Sequence, residues 1–477
     1  MNNFKLLKYA VLSCILLNFA SCKSIDIKEK VENKTVPENF GVISSDTLSV
    51  AKINWKDYFT DEHLQNLIEM ALQNNQEMNI LMQEIDITKN EIRIKKSEYL
   101  PSVGIKAGTG FEKAARFTNI GAMEATTNIA PGKEMPEPLG DLGIGLVANW
   151  EIDIWGKLHH AKNAAIKRYL ATVEGKKFMQ TQLVAEIAQS YYELLALDNE
   201  LEIVQQNIEI QNNALNVVKL LKEAARTNEL AVKRFQAQVL KTTGLQYQIK
   251  QRIVETENKI NFLVGRFPQT IQRTTTGFEK LIPTKISTGI PAELLTNRPD
   301  IKKAELLLEA AKLDIKYAKA RFYPSVGISA GIGYGAFNPS YLLKPESLMY
   351  SLAGDLMAPL LNRNAIKAEY KNANAKQIQA VYNYEQTVLM AYVEVVNQLS
   401  KIKNLENSIN LKQQEVDALN QSITISNNLF KSARADYMEV LLTQREALDA
   451  KFELIETKMQ QMQSSISVYK ALGGGWN

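Results

Sequence analysis

Cysteine is nearly absent from this chain: Cys14 and Cys22 are the only two in 477 residues. Cys14 falls in the apolar run of an N-terminal segment that reads as a secretory signal over residues 1–21, with Lys5 and Lys8 before the run and Ala20 and Ser21 after it. Cleavage there leaves a mature chain of 456 residues with one thiol, so no internal disulfide can form and packing has to hold the fold. Histidine is as scarce. Of His63, His159 and His160, the adjacent pair would point about 100° apart on a helix, which excludes an i, i+4 metal pair and favours solvated helix residues. There is no Gly-rich phosphate loop and no G-x-S-x-G elbow. Hence no catalytic, cofactor or metal site is expected, and no enzyme. After the signal no apolar run is long enough for a membrane helix. The 56 basic and 52 acidic residues are interspersed and leave a formal charge of +4, which asks for no nucleic acid. Residues 22–50, rich in Lys, Glu, Ser and Asn, read as a flexible N-terminal tether.

What is present is a duplication. Pro101-Ser-Val-Gly-Ile-Lys-Ala-Gly108 recurs as Pro324-Ser-Val-Gly-Ile-Ser-Ala-Gly331, an offset of 223 residues. Further along, Ala225-Arg226 matches Ala433-Arg434 and Val264-Gly265 matches Leu472-Gly473, both at an offset of 208. The first copy therefore carries 15 extra residues, and they must lie within 112–139, a Pro- and Gly-bearing stretch read as a loop opposite the shorter 335–347. Residues 51–280 form repeat one and 281–477 repeat two, each reading helix, strand, loop, strand, two long helices.

The strands are two-faced. Val103, Ile105, Ala107, Thr109 and Phe111 alternate with Ser102, Gly104, Lys106, Gly108 and Gly110. A second strand sets Leu142, Ile144, Leu146, Ala148, Trp150, Ile152 and Ile154 against Gly143, Gly145, Val147, Asn149, Glu151 and Asp153. The second repeat offers Val326 to Tyr334 and Leu348 to Ala358 in the same alternation. Tyr99 to Phe111, at about 3.3 Å per residue and a tilt near 45°, rises roughly 28 Å, close to the 25 Å apolar band of an outer membrane. Closed membrane barrels begin at about 8 strands, so a chain with four must close its barrel with copies of itself.

The helices are long. Residues 156–220 and 364–430 lack proline and carry apolar residues at helical spacing, and 65 helical residues span roughly 98 Å. Return helices are expected over 228–262 and 436–472, the latter closed by Gly473-Gly474-Gly475. Asn297-Arg298-Pro299-Asp300 marks a helix start, with Pro in the first turn and an acid at the positive end.

Five segments carry a resemblance. They are Leu295-Thr-Asn-Arg-Pro-Asp-Ile301, Arg321-Phe-Tyr-Pro-Ser-Val326, Asn149-Trp-Glu-Ile-Asp-Ile-Trp-Gly-Lys157, Tyr437-Met-Glu-Val-Leu-Leu-Thr-Gln-Arg445 and Val468-Tyr-Lys-Ala-Leu-Gly-Gly-Gly-Trp476. In this order the chain resembles the TolC/OprM-type outer-membrane efflux channels, in the NodT-like lipoprotein branch that serves resistance-nodulation-division (RND) pumps. The resemblance implies a mainly α fold with a small β part: a homotrimer with a 12-stranded transmembrane β-barrel, four strands from each chain, continued by a periplasmic α-helical tunnel. It implies a passive conduit, partnered by a periplasmic adaptor and an inner-membrane RND pump. Leu17-Asn-Phe-Ala-Ser-Cys22 resembles a lipobox with Phe19 in place of the usual Leu, which implies lipidation of Cys22 and contact with outer-membrane lipid. By motif, a periplasmic gate falls on Met438 and Arg445, with Glu439 as its acid and Arg434 as a possible partner; Leu442 stands where relatives often have Asp. A lipid-anchored periplasmic coiled-coil adaptor and the outer-membrane component of a type I secretion system are the alternatives.

Overall fold

The computed structural model describes residues 27–41, 49–274, 278, 281, 287–359, 363–432 and 434–476. The signal, Cys14 and Cys22 lie outside them. Its main elements, in chain order, are α1 (Glu62–Asn74), α2 (Gln76–Glu98), β1 (Ser102–Glu112), α3 (Asn119–Thr126), β2 (Asn128–Ala130), β3 (Lys133–Glu134), β4 (Leu139–Ile152), α4 (Lys157–Glu223), α5 (Glu229–Val264), α6 (Pro299–Ala320), β5 (Ser325–Ala336), β6 (Leu348–Met357), α7 (Asn364–Lys431) and α8 (Tyr437–Ala471). The chain divides into two compact units.

One unit holds residues 87–169 and 306–382 together with 27–32. Its centre is an antiparallel sheet of order β1-β4-β5-β6. The ladders run without a break from Ser102↔Asn149 to Glu112↔Leu139 and from Leu142↔Ala336 to Ile152↔Val326. β4 stops at Ile152 rather than continuing through Ile154, because the Asp153 carboxylate turns away to accept the N–H groups of Leu158 (3.0 Å) and His159 (2.9 Å) and so caps α4. The stretch read as a plain loop over 112–139 also differs: it contains α3, capped by Thr118, and the small β2–β3 hairpin.

The other unit holds 33–86, 170–305 and 383–477 and is helical. Tyr191 of α4 is fully buried and its hydroxyl donates to Asp61 at 3.0 Å, while Asp61 caps α1 through the N–H groups of His63 and Leu64. Tyr58 and Tyr469 stack at 4.1 Å. Leu197, Val204, Ile249 and Phe452 form one packed cluster along α4, α5 and α8. Arg298, buried before Pro299, holds Asp300 (2.7 Å), Glu394 (2.9 Å) and the Ala471 carbonyl (2.7 Å).

The duplication is visible in the turns of this unit. Arg226 N–H bonds the carbonyl of Leu221, and its counterpart Arg434 bonds that of Leu429, each five residues back. Gly265 (φ 78°) and Gly473 (φ 95°) close α5 and α8 in the left-handed conformation that glycine adopts freely, with Arg266 N–H on Asn261 and Gly474 N–H on Tyr469.

The reading of residues 22–50 as a flexible tether needs correction where the chain is described. In the first unit Lys30 and Gln377 exchange two hydrogen bonds (3.2 and 2.7 Å), Glu32 pairs with Lys312 (2.8 Å), and Ile27 packs on the Ile315–Tyr370 cluster. In the second, Asn33 N–H bonds Glu385 (3.1 Å), Lys34 pairs with Glu305 (2.6 Å), and Phe40 stacks on Tyr392. These residues form a strap. Its polar composition serves pairing with distant charged side chains, which composition alone does not distinguish from solvation.

Candidate functional site

The register decides what each face of the sheet presents, because residues paired across a ladder share a face. One face carries the rows Val103, Ala148, Ala330, Leu352; Ile105, Leu146, Ile332, Tyr350; and Ala107, Ile144, Tyr334, Leu348. These rows are apolar, with Thr109 the polar residue beyond them on the same face, yet Ile105 is 78% and Leu352 79% exposed. The other carries Ser102, Asn149, Ser329, Ala353; Gly104, Val147, Gly331, Ser351; Lys106, Gly145, Gly333, Met349; and Glu151, Gly327, Asp355. A hollow of about 540 Å³ lies against Lys106, Asp141, Met349 and Ser351 on this polar side. Gly145 and Gly333 leave its middle row without side chains other than Lys106 and Met349. Lys157 pairs with Glu151 at the α4 end of the sheet.

Aromatic residues gather at that same end. Trp155 stacks on Tyr323 at 4.9 Å and donates its indole N–H to the Pro324 carbonyl at 2.7 Å; Tyr99 meets His159 edge to face at 4.6 Å. His160 is not simply solvated: it is half-buried, with its Nδ1 atom enclosed and without a partner in the described structure. Burial, and then the nearby Lys316 charge, hold its pKa below the ordinary value despite the Asp153 carboxylate.

The residues assigned to a gate lie where α7 turns into α8. Met438, Leu442 and Arg445 are spaced i, i+4, i+7 on α8 and are all exposed, Met438 at 41% and Leu442 at 46%. Glu439 is exposed on an adjoining face, and Arg434 in the turn is exposed too. Among the described residues none of Arg434, Glu439 and Arg445 forms an ion pair, so one chain brings the four candidates to one helix end without joining their charges. The opposite face of α8 is buried: Val440 packs with Leu215, Val218 and Phe235. Sequence reasoning missed Gln444, one turn beyond, and Gln211 on α4. Both side chains are buried with neither amide atom partnered in the described structure. An amide at a core position of the helical repeat was the available signal.

The model of the family described as "Outer membrane efflux protein" matches residues 67–266 and 290–474, one match for each repeat. The chain is 25% identical over 467 residues to the cation efflux system protein CusC of Escherichia coli O6:H1, covering 97% of this chain and 98% of CusC. It is 26% identical over 422 residues to the pyoverdine export outer membrane protein OpmQ of Pseudomonas aeruginosa, covering 88% and 87%. A crystal structure of CusC superposes with a TM-score of 0.82 at 23% identity, covering 95% of this chain and all of that one. With the two-faced sheet, the duplicated helical hairpins and a family match across most of its length, the chain belongs to the outer membrane efflux protein family.

Proposed function

We propose that three copies of this chain close a 12-stranded barrel in the outer membrane and form the exit conduit of a tripartite RND efflux system. The carrying observation is the sheet: among the described residues it has a largely exposed apolar face and two edges, on β1 and β6, with no strand paired to them. In lipid each unpaired edge group costs several kcal/mol, so roughly ten of them exceed the stability of an ordinary domain. Pairing β6 of one copy with β1 of the next removes that cost, turns the apolar face to lipid and encloses the Gly-, Ser- and Lys106-bearing face around water.

In this reading Cys22 is lipidated, residues 51–280 and 281–477 supply the two repeats, and a periplasmic adaptor meets the helix tip. The inner-membrane pump supplies the energy, and the conduit performs no covalent chemistry. Met438, Leu442, Glu439, Arg445 and Arg434, presented threefold around the axis, narrow the tunnel at rest, with Leu442 extending an apolar seal where an acid is common. The names of CusC and OpmQ, efflux and export proteins, support the direction of transport.

Affinity purification of the full chain from its own cell envelope after mild cross-linking tests the assembly. An adaptor and an inner-membrane pump should co-purify. Recovery of trimers with neither partner would remove the tripartite system and leave the conduit.

A further inference from the structure

We infer that Lys106 forms a cationic ring midway along the barrel lumen, so that the conduit favours anionic cargo, bearing carboxylate, sulfonate or phosphate groups, over cations of similar size. The inference rests on the trimeric barrel proposed above and names the cargo class that its lumen favours. The duplicated segment points to the residue. Between Pro101–Gly108 and Pro324–Gly331 the one difference is Lys106 in the first copy against Ser329 in the second. Lys106 is also the one cation in β1, β4, β5 and β6, whose other charged residues are Glu112, Asp141, Glu151 and Asp355. The register puts all five on the polar face.

The acids on that face do not neutralise the lysine. Lys106 is exposed and among the described residues forms no ion pair. Its row continues through Gly145, Gly333 and Met349, and the hollow of about 540 Å³ is lined by this row. Asp141 lies four residues from the row along β4, while Glu112, Glu151 and Asp355 lie six residues from it along β1, β4 and β6. At the rise of a strand those offsets are roughly 13 and 20 Å, beyond the roughly 8 Å over which physiological salt screens a charge. Glu151 is in addition paired with Lys157.

The size of the barrel sets the reach of the ring. Twelve strands about 4.8 Å apart and tilted near 45° give a circumference of roughly 80 Å and a diameter between backbones of roughly 26 Å. Gly145 and Gly333 put no side chain in the way. A lysine stem extending roughly 6 Å inward then holds each of three ammonium groups about 7 Å from the axis, within the screening length. Three unit charges at that distance in salt water enrich a univalent anion on the axis roughly threefold and deplete a univalent cation by the same factor. No path through this cross-section avoids the field.

The ring is tested from outside the cell, independently of any constriction at the helix tip. Ala353 is exposed on the same face, two rows nearer the α4 end of the sheet, so a reagent entering from the exterior must pass Lys106 to reach it. Full-length protein carrying Ala353→Cys is labelled on intact cells with an anionic sulfonatoethyl and a cationic trimethylammonioethyl methanethiosulfonate. Adding Lys106→Ser should lower the ratio of anionic to cationic labelling rates roughly tenfold, the product of the two threefold effects, whereas Lys106→Arg should leave it unchanged. Near 1 M salt, where the screening length falls to about 3 Å, the effect of Lys106→Ser should vanish. A ratio unchanged by Lys106→Ser would overturn the ring and leave the barrel standing. Trimers in which neither reagent reaches the Ala353→Cys thiol, or absence of trimers, would overturn the open lumen and the ring with it.

Discussion

Gly145 and Gly333 face each other across the β4–β5 ladder so closely that a Cβ on Gly145 would lie 2.9 Å from the Gly333 Cα, and one on Gly333 would lie 2.6 Å from the Gly145 Cα. The adjacent carbonyls, Ile332 at 2.7 Å and Ile144 at 2.5 Å, are closer still, so backbone and not a flexible side chain would have to give way. Gly108, on the same face, has nothing within 4 Å of a Cβ. Gly145→Ala or Gly333→Ala should therefore destabilise the protein by roughly 1–3 kcal/mol, the usual range for overpacking, and Gly108→Ala should be close to neutral. Thermal dissociation of the three purified variants checks this; equal behaviour of all three would mean that the sheet is not packed as described.

At the helix tip, Arg445→Ala should raise single-channel conductance in planar bilayers, because in the proposed gate Arg445 is the polar end of the exposed Met438–Leu442–Arg445 stripe. Glu439→Ala should alter cation preference, since three carboxylates around an axis attract cations. If both variants match the wild type in conductance and selectivity, the constriction lies elsewhere.

His160 gives a pH dependence whose sign is fixed. Its folded-state pKa is lowered below the ordinary 6.5, so the unfolded chain takes up the proton first. Its contribution to stability is thus complete above about pH 6.5 and declines as the pH falls below that value. The groups acting on it are Lys316, Asp153 and His159. Trimers should dissociate at a lower temperature at pH 5.5 than at pH 7.5, and His160→Gln should flatten that difference while His159→Gln, at a more exposed position, should not. A slope unchanged in His160→Gln would assign it to another group.

The architecture was legible where a local rule acts on few residues. Strand alternation fixed which residues share a face, Pro299 marked the first turn of α6, and Gly265 and Gly473 marked the ends of α5 and α8. The four-strand count, which the sheet reproduces, is what carries the proposal of more than one chain. Helix α3 was not legible, because Asn119–Thr126 has no apolar period and is shaped by Thr118 and by the approach of Gly121 to Ala115. The strap was hidden for another reason: Lys30 meets Gln377 across 347 residues of sequence, and nothing local signals such a partner. At the tip, the motif located Met438, Glu439 and Arg445 and raised Leu442 as a departure. That Leu442 lies on the same exposed stripe as Met438 and Arg445 follows from the helix, whereas the buried amides of Gln211 and Gln444 required the packing itself.

Cys22 lies outside the described residues, and its proposed lipidation has a direct readout. Wild-type protein should incorporate labelled palmitate, and Cys22→Ala should not. Two or three acyl chains, at about 0.8 kcal/mol per buried methylene, suffice for stable anchoring, but the barrel anchors the protein as well. The variant should therefore be impaired in processing and sorting more than in trimer formation. Wild-type protein without label would remove the anchor.

The central claim is that a sheet of four strands with free edges is one third of a closed membrane barrel. The mass of the protein extracted from outer membranes in mild detergent measures it most directly. Native mass spectrometry should give three times the mass of the lipid-modified mature chain, with no monomer until the complex is denatured. A stable monomer in the same detergent would contradict the claim, because it would show that the edges of β1 and β6 are satisfied within one chain.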